Sequence, residues 1–168
     1  PGAAKFQWAF EGLNYKDVTA DANGSATITH LKPPHAGPVW LNVYALDQYG
    51  NKSARSDYAF YVPPRDMADA PGDTGGDGIA DLLIVDAGGR LMNCVGNEDG
   101  ELYGCLGAAY TSDRKLHPEN HWYDPATGKA ALITHYDDAY PGDGTTDLFA
   151  VAPDGTFWLY PGDGYGSY

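Results

Sequence analysis

Two stretches of this chain repeat one another, and that repeat limits what the chain can become. One copy runs Pro71-Gly72-Asp73-Thr74-Gly75-Gly76-Asp77-Gly78-Ile79-Ala80-Asp81-Leu82 and on to Leu91. The other runs Tyr140-Pro141-Gly142-Asp143-Gly144-Thr145-Thr146-Asp147-Leu148 and on to Gly162. Aligned on Asp77 and Asp143, both read G-D-G-x-x-D-L, then three strand residues, a Gly-containing tight turn and a second strand. Gly88-Gly89 and Asp154-Gly155 supply the positive φ that short hairpin turns need. Leu82 to Val85 is apolar on both faces, as suits an enclosed strand. Each copy therefore reads as an acidic loop, a strand, a turn and a strand, which is half of a four-stranded sheet.

The first half has the same β character. Lys5 to Phe10 alternates, with Phe6, Trp8 and Phe10 on one face. Ala26 to Leu31 alternates again, Val39 to Leu46 is the clearest strand, and Tyr58 to Val62 closes the segment. Asp21-Ala22-Asn23-Gly24 and Asp47-Gln48-Tyr49-Gly50-Asn51 are turns. With 22 Gly, 12 Pro and no sustained i, i+3, i+4 apolar pattern, the chain is expected to be all-β. Pro63 to Pro71 lacks periodicity and reads as a linker over residues 63–70.

A formal charge of −13 argues against a phosphate-neutralising surface, so neither nucleic acid nor an anionic membrane is an expected partner. Cations, calcium above all, suit it better. No run of 18 apolar residues is present to span a bilayer. The chain opens on Pro1 rather than Met, so its start is expected to reflect processing or chosen boundaries.

The run Leu41-Asn42-Val43-Tyr44-Ala45-Leu46-Asp47-Gln48-Tyr49-Gly50-Asn51-Lys52-Ser53 resembles the late strands of bacterial immunoglobulin-like modules. That resemblance implies a β-sandwich over residues 1–62 with its first strands missing. The repeat over 71–91 and 139–166 resembles the FG-GAP/VCBS family, whose members form β-propellers in secreted and surface proteins. Together these imply a partial immunoglobulin-like sandwich followed, over 71–168, by two propeller-type blades. Two blades cannot close a ring, so further repeats, self-association or a partner chain would complete them. The stretch 92–138 holds a second hairpin, with His121-Trp122-Tyr123-Asp124 and Lys129 to Thr134 flanking Pro125-Ala126-Thr127-Gly128. It is expected to supply the remaining strands of the first blade.

In that family the acidic loop commonly holds calcium. Residue by residue, the resemblance places Asp73, Asp77 and Asp81 as carboxylate ligands and the Ile79 carbonyl as a main-chain ligand. Gly75 offers no side-chain oxygen. The second loop keeps Asp143 and Asp147 but has Ala139 and Pro141 at the first two ligand positions, and Asp138 could approach by a shifted register. The competing reading is that these aspartates satisfy backbone N–H groups with no metal.

Cys94 and Cys105 flank Asp99-Gly100, a strong turn signal. In a hairpin they would face each other and form a disulfide, which belongs to an oxidising, extracellular compartment. His117 and His121 have the spacing of a helical zinc pair, but Pro118 stands where H-E-x-x-H needs Glu and no helix is expected there. No G-x-S-x-G, P-loop or dinucleotide fingerprint occurs, and Cys94 lacks an obvious base. Trp8, Trp158 and Tyr160 are assigned to the core, while Trp122-Tyr123 is the best candidate for an exposed ligand-stacking pair.

The expected role is a non-catalytic, secreted or surface binding or scaffold module with a protein or glycan ligand. The alternatives are an accessory part of a secreted hydrolase, or a structural subunit completed by assembly.

Overall fold

A computed structural model describes residues 2–63, 65–110, 115–118 and 120–168, with Tyr103 described by its backbone only. Pro64 of the expected linker and Glu119 of the His117–His121 stretch lie outside the described residues. The described residues hold strands and turns and no helix, in several small antiparallel sheets.

Four strands arise from the first half: β1 (Lys5–Phe10), β2 (Lys16–Thr19), β3 (Gly37–Leu46) and β4 (Ser56–Val62). They form one sheet in the order β2-β1-β3-β4. Phe10 sits opposite Leu41, and Val39 opposite Phe60. Side chains alternate across a strand, so Trp8, Phe10, Val39, Leu41, Phe60 and Val62 share one face. Within this segment no second sheet covers that face. It packs instead on Val95 and Leu106 from the following unit, and Leu13 bridges to Gly104. The four-stranded sheet thus finds the packing partners of its apolar face beyond residue 71.

The expected strand at Ala26–Leu31 does not form. Alternation makes a strand only where an edge is free to pair, and the edge of β1 is taken by β2. That short strand was not expected, because Lys16-Asp17-Val18-Thr19 carries little apolar pattern. Asp17 accepts from Lys5 and from Gln7 across the pair, and charge of this kind is typical of an edge.

The second half holds β5 (Leu82–Val85), β6 (Leu91–Gly96) and β7 (Leu102–Gly107) in one three-stranded sheet. A short hairpin, β8 (Tyr123–Asp124) and β9 (Lys129–Ala130), follows. Then come β10 (Leu132–His135), β11 (Leu148–Val151) and β12 (Phe157–Tyr160) in another three-stranded sheet. β10 therefore completes the second unit, not the first: Leu132 pairs with Val151 and His135 with Leu148. The apolar run at Lys129–Thr134 showed that a strand was present, and its neighbour was set by that long-range register.

The two units stack in the same orientation. Leu83, Val85 and Leu91 of the first pack with Leu148, Ala150, Ile133 and Tyr160 of the second, around Trp122. The second-unit counterparts of Leu83, Val85 and Leu91 are Phe149, Val151 and Phe157. They occupy the opposite face of that sheet together with Leu132. Leu132 is 73% exposed and Phe157 64%.

Candidate functional site

Each unit is closed at its corner by one buried aspartate. Asp81 Oδ2 accepts from Thr74 N (3.1 Å), Thr74 Oγ1 (2.9 Å) and Gly75 N (3.1 Å), and its Oδ1 accepts from Gly96 N at 3.1 Å. Asp147 Oδ2 accepts from Ala139 N and Tyr140 N, both at 2.7 Å, and its Oδ1 accepts from Gly162 N at 3.0 Å. A side chain at Gly96 would strike the Ala80 carbonyl, and one at Gly162 the Thr146 carbonyl, so both positions need glycine. Asp81 and Asp147, and Gly96 and Gly162, keep the offset that separates Asp77 from Asp143, while the loop donors Ala139 and Tyr140 fall one residue short of it.

A second aspartate organises each loop. Asp73 Oδ1 accepts from Gly76 N (2.8 Å) and Asp77 N (3.2 Å), and Oδ2 accepts from Gly78 N (2.7 Å). In the other loop Asp138 does this work, accepting from Gly142 N at 3.0 Å and Gly144 N at 2.6 Å. The shifted register considered for Asp138 is the one adopted. Asp77 and Asp143 each accept from the N–H two residues on, Ile79 and Thr145. Asp77 differs from Asp143 in burial. Its Oδ2 has no partner among the described residues, and desolvation pushes its carboxyl up to about 6.

Calcium was expected to rest on Asp73, Asp77, Ile79, Asp81, Asp143 and Asp147. In the arrangement present Asp73, Asp81 and Asp147 accept N–H donors on both oxygens, and Ile79 donates its N–H to Asp77. A cation is nevertheless supplied by the chain itself. Arg65 Nη2 donates to Asp73 Oδ2 at 2.6 Å, and Asp73 is fully buried. Asp69 reaches the other corner, accepting from Thr146 N at 2.9 Å while its own N–H donates to Gly144 O at 2.8 Å. The segment read as a linker therefore ties both loops. Nothing in its sequence but charge signalled this.

Cys94 and Cys105 form a disulfide between directly paired residues of β6 and β7, as expected. The expectation for Trp122 is corrected. The ring is 2% exposed, lies parallel to His117 with centroids 5.6 Å apart, and packs on Tyr160 at 5.1 Å. It anchors the core beneath the hairpin and offers no face to a ligand. Its neighbour Tyr123 is half-buried and lies against Gly89. Trp158, assigned to the core, is 47% exposed. His117 and His121 have ring centroids 4.5 Å apart, and burial holds both below the usual histidine range. No group of three or more metal-binding side chains occurs among the described residues.

A recess of about 1130 Å³ lies where the start of β3 and the end of β4 meet the segment after β12. Trp40, Tyr61 and Tyr165 are among its exposed rings. Trp40 falls in the clear strand Val39 to Leu46, but nothing local to it marks the recess, which joins residues from opposite halves of the chain.

Comparison of the chain with family models, with curated proteins and with solved structures finds no match. No helix among the described residues is long and apolar enough to cross a membrane.

Proposed function

We propose that this chain is a non-catalytic binding or scaffold module of a secreted or surface protein, built on two blade-type units of the FG-GAP/VCBS kind. The observation that carries this reading is that the two corners share one bond, Gly96 N to Asp81 Oδ1 and Gly162 N to Asp147 Oδ1, at equivalent positions of the repeat. Units that repeat in this way and stack in one orientation form arrays whose loops present binding surfaces. The disulfide supports an oxidising compartment. The resemblance of residues 1–62 to an immunoglobulin-like module supports a spacer role for the four-stranded sheet. Calcium at Asp73 would compete with the Arg65 guanidinium for the same carboxylate.

The test is to immobilise the chain against panels of extracellular proteins and glycans and to follow bound ligands for cleavage. Saturable binding with the ligand intact supports the reading. Turnover of a bound ligand overturns it and favours the hydrolase alternative.

A second reading, a structural subunit completed by assembly, has its own observation. The face bearing Leu132, Phe149, Val151 and Phe157 matches the face of the first unit that is covered, yet it is open. A contact of this head-to-tail kind adds units without limit unless the ring closes. Sedimentation velocity across a concentration series tests it: association abolished by Phe157→Asp supports it, and a monomer throughout rules it out.

A further inference from the structure

From the recess between the two halves we infer a binding site for a neutral oligosaccharide. The inference rests on the binding-module reading and names the ligand class.

A sugar ring has an apolar C–H face and a rim of hydroxyls. A site for it needs flat aromatic surface beside hydrogen-bonding groups that lack other partners. The recess has both. Trp40 and Tyr61 stand on one face of the β3–β4 pair, two positions out of step, since Tyr61 lies opposite Pro38 and Trp40 opposite Ala59. They are 42% and 60% exposed. Tyr165 also lines the recess and lies 3.0 Å from where a Gly37 side chain would begin. Any side chain at that glycine would push this ring away.

The polar part is equally specific. Asn93 Oδ1, Tyr168 Oη and His117 Nδ1 are buried and have no hydrogen-bond partner among the described residues, and all three residues line this recess. Asn93 is 3% exposed and Tyr168 7%. A buried polar atom left unpaired is costly, so such atoms along one recess mark where a trapped water, and through it a sugar hydroxyl, would be held. Charge selects among sugars. Glu11 and Asp163 stand at the recess and the chain is strongly acidic, so uronates and sialylated glycans are repelled. The volume of about 1130 Å³ admits several sugar units.

The experiment is calorimetric titration of the full chain with neutral hexasaccharides (β-1,4-glucan, β-1,4-N-acetylglucosamine and α-1,4-glucan), with oligogalacturonate as the charged comparator. The expected result is saturable binding of at least one neutral sugar and none of the galacturonate. Trp40→Ala and Tyr61→Ala should each weaken that binding by about tenfold without shifting the melting temperature, because both rings are exposed. Failure of all three sugars to bind, or affinities unmoved by both substitutions, overturns the site. Capture of a protein ligand that survives Trp40→Ala would overturn the site yet leave the binding-module reading standing. Turnover of a bound ligand removes the module reading itself.

Discussion

Asp147 does in the second unit what Asp81 does in the first: one carboxylate oxygen holds two N–H groups of its own loop, and the other holds a glycine N–H at the far end of the paired strand. Each carboxylate replaces three backbone bonds that neither sheet could supply. Asp81→Ala and Asp147→Ala should each cost about 3 kcal/mol by leaving buried donors unpaired. Asp143→Ala, at an exposed position, should cost under about 1 kcal/mol. Urea unfolding of the three variants checks the order. Equal losses would show that the corners do not close the units.

Arg65 is the counter-charge of a carboxylate that has no access to water. Arg65→Ala should destabilise the fold by about 2 kcal/mol, less than a fully buried pair because the guanidinium is partly exposed. The melting temperature of the unaltered chain should stay the same in millimolar calcium and in EGTA. A calcium-dependent rise would restore the metal-bound reading of Asp73, Asp77 and Asp81.

Asp77 should make stability fall as pH rises. Burial lifts its carboxyl from 3.8 to about 6, so the folded state holds the proton more tightly than the unfolded state. Its contribution is full below about pH 4 and is lost as pH rises through about 6. Asp77→Asn should match the unaltered chain at pH 4 and melt a few degrees higher at pH 7.5. His117 and His121 act in the opposite sense. Both are held low by burial, so their contribution is present above the usual histidine value and is lost as pH falls through their depressed ones. Melting curves from pH 4 to 8 for Asp77→Asn and His121→Gln separate the two effects.

The disulfide closes a short loop within the first unit. Replacing both cysteines with alanine should cost about 2–3 kcal/mol and leave the β5–β6 pairing intact. Far-ultraviolet dichroism and denaturant unfolding, with and without reductant, check both points. A loss of all sheet signal on reduction would mean that the bridge is required for folding.

Local features were legible before any coordinates. The Gly-bearing turns, the paired strands on either side of them, the facing cysteines and the kinship of the two Asp-Gly loops all depend on residues a few positions apart. Where the reading went astray, the deciding contact was distant. Ala26–Leu31 alternates as a strand should, but β2 already held the neighbouring edge. Trp122 and Trp158 look alike in sequence, yet only Trp122 lies between the stacked units. Arg65 gave no sign that it would neutralise Asp73.

Backbone torsion limits and turn chemistry act over four or five residues, so the β-hairpins and the likeness of two corners are written in short stretches of the chain. Long-range packing chose which faces became core, which strand joined which sheet and which residues line the recess between the halves. Those outcomes depend on apolar surfaces finding one another across the length of the chain. Burial has no direction of its own, so no short stretch of sequence records it.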